Sequence, residues 1–327
     1  MKNYMENSFE KGDNEMGQPI VSVIVPNYNH ATYLPQRIDS ILSQSYQNFE
    51  IIILDDCSTD NSRDVIEKYR NDKHISHIEY NTTNSGNTFK QWDKGIELAK
   101  GELIWIAESD DVAHPDFLFI LVKQMTKHPN AVVAFSHSYL IDHNGKDMHI
   151  NWHPNYNAES VYIHSGQKFA HKIMVRSNYI YNASMVVFRK SIYKSIDKSF
   201  QEYKSCGDWA FWMSACLQGD VIEVCRKLSY FRQHPNKVTV KAGKAGTAWM
   251  LAGTLLHQFI TQLNMKGWEL HVFRGHWTKD LRNSSFPNKD KLIQNFPDVF
   301  DGNSMDNFCY ILSRIYEKIM ESRHPIQ

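Results

Sequence analysis

The sequence of 327 residues contains no apolar run approaching the roughly 20 residues that a membrane-spanning helix requires. Any membrane contact is therefore expected to be peripheral. Its five cysteines, Cys57, Cys206, Cys216, Cys225 and Cys309, are odd in number and include no CxxC pair. That pattern indicates neither a disulfide framework nor a zinc ribbon, and it fits a reducing, cytoplasmic compartment. Charge of one sign is missing too: 36 Lys and Arg stand against 36 Asp and Glu. With no global field, nucleic acid is not an expected partner, and any ligand must be recognised locally. The GxGxxG, GxxxxGK[ST] and GxSxG motifs are absent, which disfavours dinucleotide oxidoreductases, P-loop enzymes and serine hydrolases of the elbow type. Residues 1–18 are polar, lack the apolar core of a signal peptide and read as a disordered leader.

What is present is enough apolar surface for a sizeable core, with 42% hydrophobic and 13% aromatic residues. Ile20 to Val25 is a β-branched strand stopped by Pro26, and Leu34, Ile38, Ile41 and Leu42 follow at helical spacing. Phe49 to Leu54 is a second continuous apolar strand ending in Asp55 and Asp56, after which Thr59 or Asp60 can cap a helix carrying Val65, Ile66 and Tyr69. A third strand is expected at His77 to Tyr80. A helix over Thr88 to Lys100 is expected to stop at Gly101, and a fourth strand, Glu102 to Ala107, runs into Glu108-Ser109-Asp110-Asp111. A helix from Phe117 to Lys127 and a strand from Ala131 to Ile141 continue the alternation. This pattern predicts an α/β fold with a Rossmann-like, mostly parallel sheet, in which ligands collect beyond the carboxyl ends of the strands. Residues 143–182 read as an irregular region able to line a second substrate site, and the pattern is helical from about Ala245 onward.

Carboxylates bunched at the exit of a buried strand repel one another unless a cation or hydrogen-bond donors compensate. Glu108, Asp110 and Asp111 therefore have two readings: ligands of Mn2+ or Mg2+ that share a nucleotide diphosphate, or caps for the helix beyond Pro115. Asp55-Asp56-Cys57-Ser58-Thr59-Asp60 lies at a neighbouring strand end, where Asp56 can bind a base or ribose and where capping and turn formation are the alternative. Pro26, Asn27, Tyr28 and Asn29 offer amides and a ring for a nucleobase, or a turn with Asn in a left-handed conformation. Asn84-Ser85-Gly86-Asn87 is a glycine turn opening a helix, whose amides either face phosphate or only connect two elements. His149 and His153 are four apart, but Pro154 argues against a shared helix face, so they read as loop residues.

Taken in order, Val23 to Asn29, Phe49 to Asp60, Asn84-Ser85-Gly86 and Gly101-Glu102 leading to Glu108-Ser109-Asp110-Asp111 resemble family 2 glycosyltransferases. The resemblance covers about residues 19–115. It implies a GT-A fold, a nucleotide diphosphate sugar donor (a UDP-sugar favoured), an inverting mechanism and a divalent metal, with Asp56 near the base and Asp110 as metal ligand beside Glu108 and Asp111. It also implies a donor site built from Pro26, Asn27, Tyr28, Asn29, Asp55, Asp56, Ser58, Asn84, Gly86, Ser109 and Asp110. The family's first metal-motif position is usually Asp, whereas Glu108 is one methylene longer.

Further on, Cys206-Gly207-Asp208-Trp209 is similar to the family's acidic motif, which makes Asp208 the candidate base; its alternative is an N-cap. Arg232, His234 and Lys237 lie in a segment similar to one that closes over the diphosphate in relatives. Trp209 and Trp212 either stack on acceptor sugars or belong to the core. A donor half is thus expected over residues 19–142 and an acceptor and base half over 143–244, and the helical pattern gives a C-terminal extension over 245–327, for which membrane docking and self-association are the two open roles. Lacking the QxxRW motif and membrane helices of processive relatives, the chain is expected to add one sugar to a hydroxyl of a glycan or lipid-linked acceptor. The rival readings are a sugar-phosphate nucleotidyltransferase, although no glycine-rich loop follows the first strand, and a non-catalytic sugar-nucleotide-binding or scaffold protein.

Overall fold

A computed structural model describes residues 20–154, 156–203, 205–235 and 247–323, with side chains described through Lys318. The leader over residues 1–18 and Lys237 lie outside the described residues. Strands β1 (Val21–Asn27) and β2 (Phe49–Asp55) are buried at every position, as unbroken apolar runs require of strands covered on both faces. Between and after them come helix α1 (Leu34–Leu42), helix α2 (Ser62–Glu67), β3 (Ile75–Tyr80), α3 (Thr88–Leu98), β4 (Leu103–Ile106), β5 (Val112–Ala113), α4 (Phe117–Lys127) and β6 (Ala131–Ile141). The region expected to be irregular contains β7 (Val161–His164) and the short α5 (Gly166–Phe169). It is followed by β8 (Val186–Arg189), α6 (Gly207–Cys216) and β9 (Asp220–Arg232).

Among the described residues these strands form one sheet of order β3-β2-β1-β4-β8-β6-β9-β5, with β7 also on β9. β3, β2, β1 and β4 are parallel. β8 is antiparallel to both β4 and β6, so β6 runs with β1 again, and β9 is parallel to β6. Only β5, β7 and β8 run the other way, and the sheet is mostly parallel as expected. The carboxyl ends of β1, β2, β4 and β9 consequently open on one edge, which is where ligands collect in such sheets.

Two apolar layers cover the sheet: one holds Leu34, Ile38, Phe117 and Leu121 of α1 and α4, the other Phe89, Trp92, Phe211 and Trp212 of α3 and α6. The second layer extends into the C-terminal helices α7 (Ala248–Gln262), α8 (Gly267–Asn283), α9 (Lys289–Asn295), α10 (Pro297–Phe300) and α11 (Ser304–Arg323). Trp209 packs on Phe259 and Trp277 at 5.6 and 5.9 Å, with its ring N–H donating to the carbonyl of Met174. Trp209 and Trp212 are thus core residues with no face left for a sugar.

Gly101 differs from its expected role. α3 ends at Leu98 and Ala99 is already extended, while a Cβ on Gly101 would lie 2.6 Å from both the carbonyl of Ile20 and the amide of Ser22. Glycine is required there by the close approach of β1. Among the described residues, no helix is long and apolar enough to cross a membrane.

Candidate active site

At the carboxyl edge lies a cavity of about 870 Å³, a size suited to a small-molecule ligand. Its lining includes Pro26, Asn27, Tyr28, Asn29, Asp56, Asn84, Gly86, Glu108, Ser109, Asp110, Asp111, Asp208 and His234. Most of the residues expected from the sequence are therefore brought together, though they come from six separate stretches of chain.

Asp55 and Ser58 are not among the residues that line the cavity. The Asp55 carboxylate accepts from Asn27 Nδ2 (2.8 Å), the Ser58 amide (2.9 Å) and Ser58 Oγ (2.6 Å). This closes an Asx-type turn that braces the β1 and β2 loops against each other. Asn29 has φ +56° and accepts from the Thr59 amide at 2.7 Å, so its side chain serves the same brace. The N-cap of α2 is Asn61 rather than Thr59 or Asp60, and Asp60, one residue earlier, accepts from the Ser62 amide at 2.9 Å.

Asp56 is held from several sides. Its Oδ1 accepts from Asn81 Nδ2 (2.6 Å), the Ser85 amide (2.9 Å) and Gln91 Nε2 (2.9 Å), and its Oδ2 accepts from Ser85 Oγ (2.7 Å). The Asn84 amide group donates to the Asp56 carbonyl at 2.9 Å, and Gly86, at φ +69°, makes the turn that brings Ser85 back. So many donors fix the carboxylate in one orientation at the cavity wall.

The acidic turn does not cap α4, whose N-cap is Asp116. Asp111 instead accepts from Asn182 Nδ2 (2.8 Å) and from the Arg232 amide (2.9 Å). Asp110 Oδ2 lies 3.0 Å from His234 Nε2, and His30 completes a group whose ligand atoms are all within 4.8 Å of one another. Burial holds the His30 imidazole below its ordinary 6.5 against the pull of Asp110, which favours the neutral form that binds metals. Burial, then the charges of Asp110 and Asp111, push the Glu108 carboxyl up to about 8, opposed by the Trp92 ring N–H at 2.8 Å. Behind the turn, the Arg37 guanidinium is fully buried over Trp105 at 4.7 Å, with none of its nitrogens hydrogen-bonded. It faces Asp111, Asp110 and Glu108 as an uncommitted positive charge, and burial lowers it to about 10.

Arg232, expected at the diphosphate, is not among the residues that line the cavity. Its guanidinium donates to the carbonyls of Asp110 (2.6 Å), Asp142 and His143 (3.2 Å each) and to Gln36 Oε1 (2.6 Å), and it is buried above the Tyr33 ring. Every branch of the fork is spent on the protein.

On the opposite wall, the N-cap of α6 is Cys206, which has φ +62° and provides no side-chain cap. Gly207 is obligatory because a Cβ would meet the Phe200 carbonyl and the Phe89 ring, both at 2.4 Å. Asp208 then lies in the first turn, where burial raises its carboxyl to about 6 while Asn178 Nδ2 (2.9 Å) and the Trp209 amide favour the charged form. The residues the sequence did not single out, His30, Gln91, Trp92, Asn178 and Asn182, support the named ones. Only His30, directly after the Pro26 to Asn29 loop, carried a positional signal.

The family model described as Glycosyl transferase family 2 matches residues 22–196, more than half of the chain. The chain belongs to glycosyltransferase family 2. One similar family 2 relative is the Staphylococcus aureus poly(ribitol-phosphate) beta-N-acetylglucosaminyltransferase TarS, 28% identical over 214 residues, or 64% of this chain and 35% of the relative. Glycosyltransferase GlyG of Streptococcus pneumoniae is 36% identical over 124 residues, or 37% of this chain and 40% of the relative. The chain thus spans well under half the length of these curated relatives. The crystal structure of S. aureus TarS 1–349 aligns with a TM-score of 0.64 at 19% identity, covering 85% of this chain and 81% of that one. The same TarS segment in complex with UDP-GlcNAc gives 0.63 at 18% identity, covering 86% and 81%. These likenesses establish the GT-A type of fold.

Proposed function

We propose that this family 2 chain is an inverting glycosyltransferase that moves one sugar from a UDP-sugar to a hydroxyl of a glycan or lipid-linked acceptor. The observation that carries the reading is the placement of Asp56, Asp110 and Asp208 on the walls of one cavity at the carboxyl edge of the sheet. UDP-N-acetylglucosamine is the first donor to test, because TarS carries an N-acetylglucosaminyltransferase name and one of its structures holds UDP-GlcNAc.

In this reading Asp56, fixed by Ser85, Asn81 and Gln91, accepts from the base, with Tyr28 and Asn84 beside it. Asp110, His234 and His30 offer a carboxylate and two imidazoles to a divalent cation. Mg2+ prefers an all-oxygen shell, so this donor set suits Mn2+ better. Bound there, the cation would neutralise the diphosphate and ease its departure. Glu108 adds a carboxylate nearby, and Asp111 holds the turn in shape through Asn182 and Arg232. Asp208, poised near 6, is charged at neutral pH and takes the proton of the attacking hydroxyl, as a base with a pKa close to working pH should. In this reading residues 19–142 supply most of the donor side and residues 143–244 the base and acceptor side, with His234 of the second half reaching across to the cation group.

The test is release of free UDP from UDP-N-acetylglucosamine and a panel of other nucleotide sugars, with and without Mn2+, alongside thermal shift by UDP. Ligands that bind only the native state raise its stability by mass action. Absence of both UDP release and any nucleotide-induced shift across the panel would remove the proposal. A shift without turnover, unchanged by acceptor extracts, would favour a binding protein instead.

A further inference from the structure

The last helix, α11, packs against α8 through a mixed face of Asp306, Cys309, Tyr310 and Ser313. Asp306 is fully buried and accepts from His271 Nδ1 (2.7 Å), with Arg274 3.6 Å away. Gly275 permits this contact, since a Cβ there would lie 2.3 Å from the Asp306 carbonyl. Farther along, Glu317 accepts from Arg176 at 2.6 Å, and Ser313 is buried. Most of its large apolar residues nevertheless face out: Met305, Phe308, Ile311, Leu312, Ile315 and Tyr316 are 38–64% exposed. A surface helix of a self-sufficient fold shows the reverse arrangement.

The spacing of this outward stripe identifies its occupant. Met305, Phe308, Leu312 and Ile315 follow one another at intervals of three, four and three, and Ile319 takes the next position in the sequence. This alternation has the 3.5-residue period of a seam between two aligned helices. A lipid surface asks instead for a helix rich in Lys and Arg on its polar face. In α11 the three basic residues Arg314, Lys318 and Arg323 are matched by Asp306, Glu317 and Glu321, so an anionic surface has no electrostatic hold on it. The area also suffices. If each of the six side chains offers roughly 100 Å², about half of what a large side chain carries, two facing stripes bury on the order of 1,000 Å². That is the size at which a contact becomes specific.

We propose that α11 is a self-association surface, along which two copies of this chain pair helix to helix on the Met305, Phe308, Leu312 and Ile315 seam. The contact is isologous, each stripe meeting its own copy about a two-fold axis. It is independent of the transfer reaction proposed above, because none of its residues lines the cavity.

Sedimentation velocity of the full chain at micromolar concentration should give a mass twice the 38.2 kDa of one copy. The double variant Phe308→Glu, Ile315→Glu should halve that mass. Both positions are exposed, so its circular dichroism and melting temperature in dilute solution should match the wild-type monomer, which separates loss of pairing from loss of folding. A wild-type chain that stays at 38.2 kDa throughout, or a double variant that still pairs, overturns the proposal. So does a monomeric wild type that floats with phosphatidylglycerol vesicles while the double variant does not; that outcome assigns the stripe to lipid.

Discussion

In metal-free protein, replacing Glu108 by Gln should raise stability at pH 8 and leave it nearly unchanged at pH 5. Burial and the Asp110 and Asp111 charges lift the Glu108 carboxyl from its ordinary 4.5 to about 8. Between those values the native chain holds a proton that the unfolded chain has released, so stability falls as pH rises across the window. Glu108 contributes fully below 4.5, and its contribution is lost as pH passes through about 8. At about 1.4 kcal/mol per pH unit of separation, the ceiling is near 5 kcal/mol. Glu108 still touches solvent, and screening brings the expected difference to about 2 kcal/mol. For a chain of this size that corresponds to roughly 5 °C in melting temperature. Gln keeps the carbonyl oxygen that accepts from Trp92 Nε1, so the packing is preserved. The assay is thermal unfolding of both proteins in chelator from pH 5 to 9. The wild type should lose melting temperature faster than Glu108→Gln, and Mn2+ at pH 8 should recover more in the wild type. Parallel curves for the two proteins would refute the electrostatic reading of the acidic turn.

Asp208→Asn should lower sugar transfer by about 10²- to 10⁴-fold, the usual worth of a general base, while the UDP-induced thermal shift stays at the wild-type value. In the wild type the base must be ionised, so kcat/KM should fall as pH drops below about 6, the value to which burial raises Asp208, and a flat acid limb would count against it. Asp56→Ala leaves the Ser85, Asn81 and Gln91 donors without their acceptor; at about 1–3 kcal/mol per buried orphan, calorimetry should show lost stability together with lost UDP affinity. Gly101→Ala forces β1 and the α3 exit apart and should cost about 1–3 kcal/mol in denaturant titration, with donor affinity retained in the folded fraction.

The order of strands and helices through Ile141 was legible because each element carries its own period: β1 and β2 are buried on both faces, and α3 and α4 show apolar spacing on one. The acidic ends of β2 and β4 could be paired by the direction of parallel strands alone. What stayed hidden depends on partners far along the chain. Asp111 meets Asn182 and Arg232, 71 and 121 residues away, and no local pattern distinguishes this carboxylate from that of Asp110. Arg232 has the charge a diphosphate would want, yet four separate acceptors consume its fork. Gly101 looked like a helix terminator because the strand pressing on it, β1, comes some 80 residues earlier in the sequence. The histidines of the candidate metal group show the same limit, since His30 and His234 become neighbours only when β9 is laid into the sheet.

The grip of Arg232 also sets how this edge of the molecule can breathe. One guanidinium ties the acidic turn, the Asp142 to Lys146 hairpin turn and the side chain of Gln36 on α1. Loosening any one of them gives up a hydrogen bond to a buried charge that the others share. Their amides should therefore exchange with solvent deuterium as one cooperative unit, and His234, two residues past the clasp, moves with it. Exchange of these amides at a common rate would mark the acidic turn and the imidazole that meets it as one unit.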